Sequence, residues 1–294
     1  MAYIGRFAPS PSGPLHAGSL VAAVASYLDA RAHQGTWLIR IEDIDEARTA
    51  PGAAQDIIAT LRAFGMESDG EVVWQSRRKE HYQAAFDRLA AHAYPCGCNR
   101  REIADSRLGL AADGAALYPG LCRAGVPPGR PARSLRVRVP EPGQDLIVFT
   151  DRLNGEMRQQ LAAESGDFVL RRADGYWAYQ LAVVVDDALQ GITDVVRGAD
   201  LLDSTPRQVY LQHLLGYPTP RYLHLPVLRS ASGEKFSKKT GALSIAPGDE
   251  VAAVEALLAT SHFLGLPLQR ARSIDAFWQA AIEDWAEMLD LRGV

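Results

Sequence analysis

His16 and Gly18 stand two residues apart where an apolar-periodic segment begins, directly after the breaker cluster Pro9-Ser10-Pro11-Ser12-Gly13-Pro14. A helix that starts there offers unsatisfied N–H groups and a positive dipole end, which suits an anion. Gly18 lets a phosphate or a flat ring approach the backbone. His16 can donate to a phosphate oxygen as charge builds on it in a transition state.

A second group is Glu234-Lys235-Phe236-Ser237-Lys238-Lys239, followed by Thr240-Gly241. The chain is lysine-poor: its other lysine is Lys79, and arginine supplies the remaining basic positions. Three ammonium groups within five residues can close over a triphosphate and neutralise the charge that moves onto a leaving pyrophosphate. A third group, Arg40-Ile41-Glu42-Asp43-Ile44-Asp45, follows a strand-like run. Ligands of open α/β sheets bind beyond the carboxyl ends of strands, so Glu42 is placed to hold a ligand ammonium group. Acids in that position also cap following helices. The fourth group is Cys96-Gly97-Cys98 with Cys122. Cys-x-Cys plus a third Cys suits a four-coordinate Zn2+. Tyr118, His92 and water all compete for the fourth position, and three separate buried thiols fit the same spacing.

These groups need a scaffold. Residues 3–8 read as a strand, 17–33 as a helix with Ala17, Leu20, Val21, Val24 and Leu28 on one face, and 36–41 as a second strand without alternation. Strand, helix and strand in so short a span make a βαβ unit, so the fold class is α/β with a Rossmann-like parallel sheet. Further helices are expected at 50–65, 77–93, 181–190, 203–215, 249–264 and 273–290, and strands at 167–171, 176–180 and 193–196. The last helix has Ile274, Phe277, Ala281, Trp285 and Met288 on its buried face.

Residues 95–165 hold all three cysteines and many Pro, Gly and Arg residues, with few acids between Ser106 and Pro140. They read as an insertion, carrying the candidate zinc ligands, between two halves of the α/β domain at 1–94 and 166–228, with the lysine loop and a helical extension at 229–294. Arg130, Arg133, Arg136 and Arg138 lie in this insertion, where they would serve an RNA partner as an electrostatic guide.

The formal net charge of −4 excludes a globally basic nucleic-acid binder but not a local basic groove. No apolar run approaches the roughly 18 residues that span a bilayer, and the amino terminus lacks a secretory pattern. Three cysteines fit a reducing compartment. The expectation is a cytoplasmic, monomeric protein with no membrane partner.

Taken together, the motifs resemble the class I aminoacyl-tRNA synthetases over about residues 1–240. His16-Ala17-Gly18-Ser19 is similar to the family's HIGH region and Lys235-Phe236-Ser237-Lys238-Lys239 to its KMSKS loop, while Arg6-Phe7-Ala8-Pro9-Ser10 with Arg40-Ile41-Glu42-Asp43 is similar to the glutamyl branch. The resemblance implies activation of L-glutamate by ATP, with Mg2+, to a glutamyl-adenylate. His16, Gly18, Ser19, Lys235, Ser237 and Lys238 would meet ATP, with His16 and Lys238 catalytic. Arg6, Phe7, Ala8, Pro9, Ser10, Glu42, Tyr179 and Arg197 would meet glutamate. Ser19, Lys239 and Phe236 depart from the family motifs, which implies altered loop kinetics rather than lost activity.

Only residues 240–294 follow Lys239, which leads us to expect a helical extension rather than a dedicated anticodon-binding domain. A shortened branch of the family glutamylates queuosine in the anticodon of tRNA(Asp). Its zinc pattern is similar to Cys96, Cys98, Tyr118 and Cys122, which implies a structural Zn2+. Two other readings compete: a truncated enzyme charging a tRNA 3′ end, and a non-catalytic RNA-binding module.

Overall fold

The computed structural model describes residues 2–111, 114, 116–228, 249–268 and 270–292. Apart from short 3-10 turns, the elements in chain order are β1 (Ile4–Phe7), α1 (Ala17–Ala32), β2 (Thr36–Ile41), α2 (Ala53–Ala63), β3 (Val73–Trp74), α3 (Lys79–Arg88), β4 (Ala93–Cys96), α4 (Arg100–Ser106) and β5 (Ser134–Val137). They continue with β6 (Leu146–Asp151), β7 (Gly155–Gln160), α5 (Leu161–Glu164), β8 (Val169–Arg171), α6 (Tyr179–Leu189) and β9 (Asp194–Gly198). The last four are α7 (Thr205–Leu215), β10 (Arg221–Leu225), α8 (Glu250–Leu264) and α9 (Ile274–Arg292). None of the described helices is long and apolar enough to cross a membrane.

The chain divides into two compact units. The first comprises Met1–Ser76, Ile192–Ala199 and Pro220–Val294. In it β1 pairs in parallel with β2, and β2 with β3. β9 lies beside β1, where the Ile4 N–H donates to Thr193 Oγ1 at 2.8 Å and the Thr193 N–H to the Ile4 carbonyl at 2.9 Å. β10 pairs in parallel with β9. This is the expected βαβ start and parallel sheet.

α1 packs against β1, β2 and β9 and also meets α8 and α9. Covered from several sides, it buries Ser26 and Asp29 as well as Leu20, Val21, Val24 and Leu28. A helix covered nearly all round carries a weak periodic signal, which is why only its apolar stripe is legible. Trp37 of β2 is fully buried and satisfies its indole N–H on Ser26 Oγ at 3.0 Å.

The second unit comprises Arg77–Gly191 and Asp200–Thr219. β4, β5 and β8 form an antiparallel sheet in that order, and β6 and β7 form an antiparallel hairpin. α3 meets α6, and α6 meets α7. The buried Asp186 of α6 accepts from Arg78 Nε at 2.6 Å and Tyr82 Oη at 2.7 Å.

The strand expected at 176–180 is not formed. The Arg172 N–H donates to the Tyr176 carbonyl and the Ala178 N–H to the Leu170 carbonyl, so the aromatic run only folds back on β8 before α6 begins at Tyr179. Aromatic residues raise strand propensity, but a two-residue return consumes it here.

Candidate functional site

In the first unit the backbone sets the site before any side chain acts. The carbonyl of Pro9 accepts from the Glu42 N–H and that of Pro11 from the Ala50 N–H, both at 2.9 Å. The prolines have no N–H to satisfy, so their carbonyls staple the exit of β1 to the exit of β2. Pro9 and Glu42 are thereby held together at the carboxyl ends of two parallel strands.

His16 is the N-cap of α1. Its Nδ1 accepts from the Ser19 N–H at 3.2 Å, the task usually done by a Ser or Asp oxygen. An accepting Nδ1 leaves the proton on Nε2, which lies 2.9 Å from Ser19 Oγ. His16 and Ser19 therefore form a closed pair at the helix start, with the imidazole neutral. The first turn of α1 carries no acidic residue that would offset its positive end. A Cβ on Gly18 would lie 3.3 Å from both Cε1 and Nδ1 of His16, so glycine there keeps the ring in place.

Arg6, Phe7 and Arg197 are buried, and so is Pro9. Ala8 is half-buried and Ser10 exposed. Glu42 Oε1 lies 3.5 Å from Nη2 of Arg40, which is fully buried. Arg197 Nε donates to His224 Nε2 at 3.0 Å across the β9–β10 register. Arg40 and His224 are two site neighbours to which the sequence reading gave no role. Their signal was present: each is the one polar side chain in an apolar strand segment, Leu38-Ile39-Arg40-Ile41 and Tyr222-Leu223-His224-Leu225.

In the second unit Cys96, Cys98 and Cys122 converge, and their sulfurs all lie within 4.8 Å of one another. Cys98 Sγ is 3.7 Å from Cys122 Sγ. A tetrahedral zinc with Zn–S bonds of about 2.3 Å needs sulfurs about 3.8 Å apart. Tyr118 Oη lies 3.3 Å from Cys96 Sγ and 3.4 Å from Cys98 Sγ, and accepts from the Cys122 N–H at 3.0 Å. Three sulfurs and one phenol oxygen thus make a donor set compatible with zinc. His92, the competing ligand, is exposed and stands outside this cluster.

Local backbone explains the convergence. A Cβ on Gly97 would sit 2.8 Å from Val126 Cγ1 and 3.2 Å from the Pro131 carbonyl, so only glycine fits between the two cysteines. Gly166, at φ +64°, takes a left-handed turn beside the Tyr118 backbone, where a Cβ would be 3.0 Å from its carbonyl. Burial pushes the Cys98 thiol up to about 11, with the neighbouring sulfurs adding to the rise. Burial opposes ionisation of Cys96 too, but the Tyr118 hydroxyl, the Cys98 backbone and Arg136 outweigh it and bring that thiol down to about 7. Burial and contacts with all three cysteines push the Tyr118 phenol well up. A bound cation favours the deprotonated form of every one of these groups, so it opposes the rise at Cys98 and Tyr118 and adds to the fall at Cys96.

The family described as tRNA synthetases class I (E and Q), catalytic domain, matches residues 4–274. The chain belongs to that family. Class I synthetases of this kind are ligases. It is 63% identical over 285 residues to the glutamyl-Q tRNA(Asp) synthetase of Verminephrobacter eiseniae (strain EF01-2), covering 96% of this chain and 97% of the relative. It is 62% identical to the protein of the same name from Janthinobacterium sp. (strain Marseille), covering 97% of each. The fold is similar to the crystal structure of glutamate-tRNA synthetase from Elizabethkingia anophelis, with a TM-score of 0.76 at 23% identity, covering 99% of this chain and 70% of that one.

Lys235, Ser237, Lys238 and Lys239 lie outside the described residues. Tyr179 is the first residue of α6 in the second unit. Arg136 is not part of a surface guide for RNA. It is buried, its guanidinium carbon lies 4.0 Å from the centre of the Tyr118 ring, and its Nη1 donates to the Asp167 carbonyl at 2.8 Å. Arg136 is buried near the end of β5 by its contacts with Tyr118 and Asp167, whereas Arg133 and Arg138 are exposed.

Proposed function

We propose that this chain activates L-glutamate with ATP and transfers the glutamyl group to queuosine in the anticodon of tRNA(Asp). The observation that carries the reading is the 62–63% identity, over almost the whole of both chains, to relatives bearing the name of that reaction. Arg6, Phe7, Ala8, Pro9, Ser10, Glu42 and Arg197 are the proposed glutamate contacts, with Tyr179 added by the resemblance.

In the first step a glutamate carboxylate oxygen attacks the α-phosphorus of ATP, and the bond to pyrophosphate breaks. Arg6 and Arg197 suit the carboxylates through their planar forks, and Glu42 suits the ammonium group. The neutral His16, held by the Ser19 N–H at the start of α1, would turn its Nε2–H from Ser19 Oγ to a phosphate oxygen, and Lys238 would neutralise the departing pyrophosphate. Gly18, Lys235 and Ser237 complete the ATP site. Mg2+ accompanies ATP and offsets its charge. No covalent intermediate with the protein is required.

In the second step a hydroxyl of the cyclopentene ring of queuosine attacks the activated carbonyl, and AMP leaves. Cys96, Cys98, Cys122 and Tyr118 would hold a structural zinc: four protein ligands leave no position for substrate.

The test is transfer of labelled glutamate to tRNA(Asp) from cells that make queuosine and from cells that cannot. Acceptance by the modified tRNA alone is expected. Equal acceptance by both would replace this reading with charging of a 3′ end.

A further inference from the structure

We propose that His224 is a positioning residue that sets the plane of the Arg197 guanidinium and thereby the affinity for glutamate. The proposal rests on the reading of Arg197 as a glutamate contact. Three observations lead to it. His224 is fully buried and Arg197 is 5% exposed, so neither side chain is oriented by bulk water. The parallel register places His224 directly opposite Arg197, and Arg197 Nε donates to His224 Nε2 at 3.0 Å. Tyr222 stacks on the His224 ring, with centroids 5.8 Å apart at 18°, and its ring centre also lies 5.4 Å from the guanidinium carbon of Arg197.

The chemistry follows from what each group can do. Guanidinium is planar, so fixing Nε on one acceptor and one face on an aromatic ring fixes the directions of both terminal nitrogens. Those nitrogens form the fork that meets a carboxylate with two parallel hydrogen bonds, whose strength depends on direction. An Nε2 that accepts requires a neutral imidazole with its proton on Nδ1, so Arg197 in turn selects the tautomer of His224. Neither His224 nor Tyr222 has to touch the substrate. They hold Arg197, which does, at the carboxyl end of β9.

Three variants test this in glutamate-dependent ATP–pyrophosphate exchange with the full chain. His224→Leu removes the acceptor. His224→Asn keeps a polar group too short to reach the Nε2 position. His224→Gln places an amide oxygen near it. The expected result is a KM for glutamate raised about tenfold or more in the Leu and Asn variants, with the KM for ATP and kcat within about twofold of wild type. The Gln variant should recover most of the affinity. Thermal melting identifies a variant that fails to fold. If the Leu variant fails, the Asn and Gln pair carries the comparison.

A merely structural role would move the KM values for both substrates together and would not be rescued by Gln; that outcome overturns the proposal. Unchanged glutamate KM in the Leu and Asn variants, with an active wild type, also overturns it while leaving the proposed function intact. A wild type without glutamate-dependent exchange removes the proposed function, and this assignment with it.

Discussion

The indole nitrogen of Trp285 donates to Asp29 Oδ1 at 3.1 Å and ties the last helix to the last turn of α1. Asp29 is fully buried, and its second oxygen accepts from Tyr3 Oη at 2.5 Å. One carboxylate thus joins the residue just before β1 to α1 and α9, all in the first unit. A second tether lies nearby, where Trp278 Nε1 donates to the Phe64 carbonyl at 2.8 Å. Phe277, Ala281 and Leu289 of α9 are buried with them. The C-terminal helix is therefore part of the support for the helix that carries His16. Trp285→Phe should cost about 1–3 kcal/mol, because most of the ring volume stays while a buried acceptor loses a donor. Trp285→Ala should cost about 3–5 kcal/mol, because a large cavity is added. Urea midpoints compared at constant m-value measure both, and two variants as stable as wild type would count against the tether.

Gly18 separates activity from stability. Alanine is the better helix former by about 1 kcal/mol, so Gly18→Ala should leave the melting temperature unchanged or slightly higher. Its Cβ would press on the His16 ring at 3.3 Å, and that ring must shift by a few tenths of an ångström. A misplaced transition-state donor should lower the exchange rate by about ten- to a hundredfold. A variant with full activity would remove His16 from its assigned place.

The fold was legible where one element had one environment. β1, α1 and β2 follow from a strand-like run, a breaker cluster and an apolar stripe, and the two C-terminal helices follow from spacing alone. Misreading began where two demands met in one segment. Tyr176 and Trp177 satisfy strand propensity, yet two residues of return suffice before α6 starts. Arg136 sits among exposed arginines in sequence, but a partner distant in sequence, the Asp167 carbonyl, and the Tyr118 ring take it inward. The partners Arg40 and His224 were visible as polar residues in apolar strands, but only the sheet register says what each one meets.

Asp167 gives the second unit a pH-dependent component. Burial alone would raise its pKa, but a two-pronged pair with Arg123, at 2.7 Å on each oxygen, together with Tyr94 and the Val139 N–H, holds it below the usual carboxylate value. A depressed carboxylate stabilises the fold above its unfolded pKa of about 3.9, and that contribution is lost as the pH falls through the folded value. Asp167→Asn should therefore cost about 1.5–3 kcal/mol at pH 7: Arg123 loses its buried counter-charge but is partly exposed and keeps Glu141 Oε1 at 2.7 Å. The gap to wild type should shrink below about pH 4. Denaturation curves between pH 3 and pH 8 test the sign, and a gap that widens in acid would contradict it.

Metal content tests the thiol cluster. Purification without chelator should yield about one zinc per chain, and prolonged chelation should loosen the segment around Cys96 and Cys122, because a metal site of this kind forms only in the folded state. Cys98→Ser should lose most of the metal. Tyr118→Phe should retain it more weakly, since three thiolates remain and water can take the fourth position. Metal analysis well under one zinc per chain in unchelated protein would argue for three buried thiols instead.

The exposed arginines of the second unit make the last prediction. Arg133 and Arg138 are exposed, while Arg136 packs on Tyr118 and Asp167 and is committed to the fold. If the exposed pair meets RNA phosphates, each contact releases counterions, and affinity falls as salt rises. Reversing both to Glu should reduce glutamyl transfer to tRNA(Asp) about tenfold or more near physiological salt. It should also flatten the slope of log K against log salt by about 1.4–1.8, as expected for two lost phosphate contacts. Glutamate-dependent exchange without tRNA should stay within about twofold, because neither residue belongs to the proposed adenylate site. Arg136→Glu should behave differently: it places a carboxylate beside the Tyr118 ring and removes the donor to the Asp167 carbonyl, so it should lower the melting temperature before any effect on tRNA is read. Transfer, exchange and melting measured on the same three proteins distinguish these outcomes. An unaltered salt slope in the Arg133→Glu, Arg138→Glu protein would move the RNA contact to another face.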